Sequence, residues 1–174
     1  NVAVVRNVCN AVTIPVIADI DTGYGNAVSA MPTMREFENA GSSAVIMEDP
    51  VSPKRCPCSS GRLDIIPMEE AANKIRAIVA ARKNPELIII ARTDAEEPEE
   101  AIRRGKAYVA AGADIIQPIS RCFKNFAGLQ ARHVEQVVHQ GVHSHRLVAD
   151  RTGDFLLVAR EPGARQRQRF GQTQ

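Results

Sequence analysis

Four runs of apolar residues, PVIAD (15–19), SAVIME (43–48), LIIIAR (87–92) and ADIIQPI (113–119), punctuate the first two thirds of the chain. They are rich in Ile and Val and do not alternate polar with apolar, which suits strands buried on both faces of a parallel sheet covered by helices. Between them the pattern changes to helical spacing, over about 28–39, 68–83 and 97–111. In the second of these segments Ala72, Ile75, Ile78 and Val79 fall at helical spacing. Glu69 and Glu70 stand in its first turn, where the helix dipole favours acid. ENAGSSAVIME and VAAGADIIQPI each run helix end, Ala-Gly, strand, with glycine where it is expected just past a helix. Repeated strand, helix, Ala-Gly, strand is the order of consecutive βα units, so the expected class is α/β.

Past about residue 125 this order weakens. The stretch from His133 to Gly163 leaves room for one more helix and one or two strands. Two regions are therefore expected: residues 1–125, an α/β portion, and residues 126–174, a divergent C-terminal segment. All four histidines (His133, His139, His143, His145) fall in the second region, but their spacing matches no standard ligand motif. The final Gln- and Arg-rich residues have low-complexity character.

Composition narrows the function classes. A chain of 174 residues with 44% apolar content supports one buried core and is short for two domains. No apolar stretch reaches the roughly 20 residues of a membrane helix, and NVAVVRNVCN is not a signal pattern. That beginning reads like the middle of a longer sequence, so the chain is expected to be a fragment. Cys9, Cys56, Cys58 and Cys122 are too scattered for a disulfide scaffold. A reducing, cytoplasmic compartment is expected, with an organelle as the option should a targeting segment precede the fragment. Tryptophan is absent and aromatics make up 4%, which argues against base-stacking surfaces and a nucleic-acid partner. The net charge of +2 is uneven: four arginines and one glutamate follow from Arg160 onward, a tail read as solvated.

The chemistry gathers where the strands should end. In DIDTGYG, Asp19 and Asp21 are two residues apart, so on an extended chain they face one side. Like charges so close call for a positive group between them, and two carboxylates there make a hard-oxygen site suited to Mg²⁺ or Mn²⁺. A calcium-binding EF-hand loop from Asp19 would need an acid where Ala30 stands, and a dinucleotide fingerprint from Gly23 would need glycine where Val28 stands. A simple Asp/Gly turn remains open on this stretch alone. The second strand ends in Glu48 and Asp49, and the third in Arg92, Thr93 and Asp94. In a parallel barrel such ends converge on one face, where the active site is built. Asp19, Asp21 and Glu48 are thus candidate ligands of a hydrated divalent ion, and Arg92 a fork for a carboxylate or phosphonate. The following loop, VSPKRCPCSSGR, is long enough for a lid, and Lys54 and Arg55 place Cys56 in an electropositive setting that lowers a thiol's pKa.

DIDTGYG, then MEDP with PKRC, then IARTD, in this order and at these intervals, resemble the phosphoenolpyruvate mutase/isocitrate lyase superfamily over about residues 11–120. The resemblance implies a partial (α/β)₈ barrel of the TIM type and a Mg²⁺ cofactor, with Mn²⁺ as substitute. It implies metal-shell roles for Asp19, Asp21 and Glu48, direct or through water, and a substrate-binding and catalytic role for Arg92. Gly23 and Gly25 would belong to the adjoining substrate loop, and Lys54, Arg55 and Cys56 to a mobile catalytic loop whose cysteine acts as general acid. The implied activity is cleavage of a C–C bond in a 2-hydroxy di- or tricarboxylate through the enolate of a 2-oxo acid. The alternatives are a phosphonomutase acting on a P–C linkage and a catalytically silent truncated chain. The implied partners are a small carboxylate or phosphonate and further copies of the chain, relatives being commonly tetramers; no nucleic acid or membrane is expected. Three features depart from the family pattern. Pro57 and Cys58 follow Cys56 in place of Gly-His, Ile119 stands where many lyases carry glutamate, and the N-terminal portion that supplies a Ser/Gly loop is missing.

Overall fold

The computed structural model describes residues 1–54 and 64–118, together with the strand backbones of 146–149 and 155–158. Ten elements follow one another: α1 (Val2–Ala11), β1 (Ile17–Asp19), α2 (Ala27–Asn39), β2 (Ala44–Met47), α3 (Met68–Ala81), β3 (Ile88–Thr93), α4 (Pro98–Ala110), β4 (Ile115–Pro118), β5 (Arg146–Ala149) and β6 (Phe155–Val158). The four expected strands and three expected helices are all present, each within two residues of its expected ends. The first helix was not foreseen. It contributes Val2 and Val5 to the core while Val4 and Val8 stay exposed.

One sheet of order β1-β2-β3-β4-β6-β5 runs through the molecule. Strands β1 to β4 pair in parallel, in sequence order, as consecutive turns of a barrel wall do. The apolar runs of β2, β3 and β4 bury both faces, whereas in β1 only Ala18 is buried. On the helix-covered face Val45, Met47, Ile89 and Ala91 pack with Met34, Phe37, Ile75, Ile78 and Tyr108 in the main core. On the other face Ala44, Ile90 and Ile115 form a smaller cluster with Ile46 and Ile88. Alternation therefore sends 45 and 47 outward to the helices and 44 and 46 inward, and the same parity governs the residues just beyond each strand.

Local signals explain where the helices begin and end. Asn26 caps α2, its side-chain oxygen accepting from the amides of Val28 and Ser29 at 3.0 and 3.2 Å. In α4, Pro98 occupies the first turn beside Glu99 and Glu100. The two Ala-Gly seams close identically: Ser42 N donates to Phe37 O at 3.3 Å and Ala113 N to Tyr108 O at 3.0 Å. These bonds satisfy carbonyls that a helix end would otherwise leave unpaired.

The C-terminal strands depart from the barrel order. β6 pairs antiparallel with β4 through Ile115↔Val158 and Ile116↔Leu157, and β5 with β6, also antiparallel. A barrel wall would continue in parallel, so this antiparallel strand pair occupies the edge that a fifth parallel strand would take. The expected extra strands thus exist in the opposite sense. The helix that 133–163 had room for lies outside the described residues.

Candidate active site

Register alone draws the chemistry into one row. Asp19 pairs with Ile46, and two residues on, Glu48 N donates to Asp21 O at 2.9 Å, placing Asp21 opposite Glu48. Met47 pairs with Ala91, so Glu48 follows opposite Arg92, and Arg92 pairs with Gln117. Asp21, Glu48, Arg92 and Gln117 therefore form a row across the C-terminal ends of four parallel strands, on the inward face.

The turn after β1 sets the row's first member. Asp21 N donates to Asp19 Oδ1 at 2.7 Å, and the chain then runs through left-handed angles at Asp21 (φ 54°), Gly23 (80°), Tyr24 (54°) and Gly25 (143°). A Cβ at Gly23 would meet Ala30 Cβ and Met47 Sδ at 3.2 Å, and one at Gly25 would meet Ser29 Oγ at 2.8 Å. Both positions need glycine on grounds of space as well as angle. Asp21 adopts a conformation that costs a non-glycine residue strain, of the kind found at functional sites.

The charges interlock around Glu48, which is 3% exposed. Lys54 Nζ donates to Glu48 Oε2 at 2.8 Å and stands 3.2 Å from Asp21 Oδ1. Arg92 Nη1 donates to Glu48 Oε1 at 2.7 Å, while its Nε and Nη2 donate to Asp94 at 2.7 and 3.1 Å. Three of the five guanidinium N–H groups are thus engaged with described residues, leaving two for a ligand. The positive group beside Asp21 is, in this structure, the Lys54 ammonium, which it shares with Glu48. Burial works against the charge on Lys54, but Glu48 and Asp21 outweigh it and its pKa is raised. Burial likewise opposes charge on Arg92, and Asp94, Glu48 and Asp19 reverse the balance. Asp94 is pushed up by burial, then by Glu48 and Asp49, against the pull of Arg92.

On the opposite, helix-covered side lies a second polar group. Asp49 accepts from Thr93 Oγ1 (2.7 Å), Asp94 N (2.8 Å), Arg104 Nη1 (3.1 Å) and Tyr108 OH (2.7 Å). Arg104 also donates to Ile66 O and Glu100. Desolvation, then Asp49, raises the Tyr108 phenol far above its ordinary value, so it stays a donor. This cluster fixes the end of β3 and hence the bend that carries Asp94 to Arg92. A small cavity, with room for about one water molecule, lies between the row and the helices; Glu48, Asp49, Lys74, Ile75, Arg92 and Tyr108 line it.

The residues present fit a divalent cation. Asp21 Oδ1 is buried and among the described residues has only the Lys54 ammonium, 3.2 Å away, for a partner, a hard-oxygen donor facing the row. Asp19, Asp21, Glu48 and Asp94 set four carboxylates against Lys54 and Arg92, an excess of negative charge that such an ion offsets. Among the described residues no three acidic, His or Cys side chains close into a ready cage. Mg²⁺ itself keeps several waters and takes one or two carboxylates. Arg55, Cys56 and the four histidines lie outside the described residues. The sequence pattern assigns no role to Asp94 and does not single out Gln117 or Lys74. Gln117 carries no local signal and joins the row only through its pairing with Arg92.

The family model for phosphoenolpyruvate phosphomutase matches residues 1–160. The 2,3-dimethylmalate lyase of Eubacterium barkeri is 49% identical over 118 residues, 66% of this chain and 40% of that enzyme. A solved phosphoenolpyruvate phosphomutase from Streptomyces platensis subsp. rosaceus superposes with a TM-score of 0.65 at 40% identity, covering 67% of this chain and 42% of that one. A phosphonopyruvate hydrolase solved with oxalate and Mg²⁺ superposes with a TM-score of 0.63 at 34% identity, covering 82% and 48%. The chain spans about two fifths of the length of the curated relatives it matches. No helix among the described residues is long and apolar enough to cross a membrane.

Proposed function

Because the chain belongs to the phosphoenolpyruvate mutase/isocitrate lyase superfamily, we propose that it carries the enolate site of a Mg²⁺-dependent carbon–carbon lyase. The substrate would be a 2-hydroxy di- or tricarboxylate, and the site would lie on the row Asp21–Glu48–Arg92. The observation that carries this reading is a buried Asp21 Oδ1 held among the described residues by the Lys54 ammonium alone, in one row with an Arg92 that still has two N–H groups to offer. Asp21 and Glu48 would hold the ion, with Asp19 reached through water, and Gly23 and Gly25 would shape the loop beside the substrate. When bound, the ion would supply Lewis-acid polarisation of the substrate.

Arg92 aligns the substrate carboxylate and stabilises the charge that grows there as the bond breaks, held in aim by Asp94 and Glu48. The substrate hydroxyl gives its proton to a carboxylate of the row and becomes the carbonyl of the oxo acid. The C–C bonding pair passes to the departing carbon, which Cys56, next to Arg55 in sequence, protonates as general acid. Homo-oligomeric assembly, a cytoplasmic location and a divergent 126–174 segment belong to the same reading.

A second reading, phosphonomutase chemistry on a P–C linkage, draws support from the likeness to the phosphomutase and the phosphonopyruvate hydrolase. Calorimetric titration with Mg²⁺ and oxalate tests the shared part. Oxalate binding that requires Mg²⁺ and is lost in Asp21→Ala supports it, and a folded chain that binds neither favours a silent one. Full activity in Cys56→Ser would then argue against the lyase and for the mutase.

A further inference from the structure

Lys74 is the one ionisable residue on the buried stripe of α3, among Ala71, Ala72, Ile75, Ile78 and Ala81. It is 3% exposed, and among the described residues it makes no hydrogen bond or ion pair. A methionine of similar length would fill the position without removing a charge from water, so stability alone does not account for a lysine. Its place supplies another account. Lys74 shares the small cavity with Glu48 and Arg92, and the charges that bear on it are Glu70 and, from the metal row, Asp21. Burial lowers its pKa, with Glu70 and Asp21 acting against that shift.

We propose that Lys74 is a positioning residue for the enolate site, a fixed positive charge behind the row that favours an anionic ligand over a bare cation. The proposal rests on the enolate-site reading above. A fixed positive charge in a poorly solvated place repels an incoming Mg²⁺ and attracts the carboxylates of a 2-oxo acid or its enolate. It acts on the reaction through the potential at Asp21 and Arg92, without touching the substrate. The residue thereby offsets the excess of carboxylates in the row once an ion and an anion are both bound.

Lys74→Met separates this role from a structural one, because the two effects on binding have opposite signs. In calorimetry on the whole chain, Mg²⁺ alone should bind several-fold tighter to Lys74→Met, while oxalate at saturating Mg²⁺ should bind about tenfold weaker. Lys74→Arg should restore both values toward wild type, and the Met variant should melt at or above the wild-type temperature. Unchanged affinities in a folded Lys74→Met overturn the proposal and leave the enolate site standing. Affinities that fall together also overturn it, since they report a damaged site. A wild-type chain that binds neither Mg²⁺ nor oxalate overturns the enolate reading and the proposal with it.

Discussion

Glu48 and Asp49 are adjacent acids, both almost fully buried, and they do opposite things. Strand parity turns Glu48 inward, to an ammonium and a guanidinium that are each partly exposed and partly uncommitted. It turns Asp49 toward the helices, where four donors from β3 and α4 saturate it. Saturation in a dry place is what a structural carboxylate needs; partial satisfaction beside water is what a ligand site needs. The largest effect on folding should therefore come from Asp49. Asp49→Ala leaves Arg104 buried with only Glu100 to balance it and should cost about 3–5 kcal/mol, the usual loss when one partner of a buried pair is removed. Chemical denaturation measures this, and a loss under about 1 kcal/mol would break the contrast between the two acids.

On the inward side the expected damage is to binding. Arg92→Met should weaken oxalate at saturating Mg²⁺ by about 10²-fold, the scale of one lost oxyanion donor. It should destabilise less than Asp49→Ala, because Glu48 keeps Lys54 and Asp94, already pushed upward by burial, can take up a proton. Equal stability losses in the two variants would mean that the row is as structural as the cluster behind it. Lys54→Met sharpens the contrast further. Its ammonium stands between Asp21 and Glu48, where a cation would otherwise sit, so removing it should tighten Mg²⁺ by about tenfold. Weaker Mg²⁺ binding in that variant would show that Lys54 organises the carboxylates and does not compete for them.

Much of this was legible in the sequence, for physical reasons. Buried parallel strands announce themselves as unbroken Ile/Val runs, and charged residues at their ends stand out because nothing apolar surrounds them. That placed Asp21, Glu48 and Arg92 together before any coordinates. The pairing that sets them in one row was not legible, because it follows from register, which a sequence states only through turns and packing. Lys74 was hidden by its own helix, where a lysine on the apolar stripe passes for a residue at the stripe's edge. α1 was missed for a similar reason: Val2 and Val5 face the core, but Val4 and Val8 are exposed, so its apolar pattern blurs. The antiparallel β6 was beyond reach, since antiparallel pairing on β4 is a choice of tertiary structure and not of local pattern.

The smallest effect should come from the solvent edge of the Asp49 cluster. Glu100 accepts from Arg103 at 3.0 and 2.6 Å and from Arg104 at 2.8 Å. Burial alone would raise its pKa, yet Arg103 and Arg104 hold it below the ordinary value of 4.5. A carboxylate depressed on folding adds stability that is present above its unfolded pKa and is lost as pH falls through the folded one. Glu100→Gln should therefore cost about 0.5–1 kcal/mol at neutral pH, the range for a partly exposed pair. The gap between variant and wild type should close as the pH drops below about 4.5. Denaturation of both proteins between neutral pH and pH 3 checks this. A gap that persists undiminished at the acid end would place the contribution of Glu100 in packing against Arg104. The cluster would then owe its stability to shape at its rim as well as to charge at its centre.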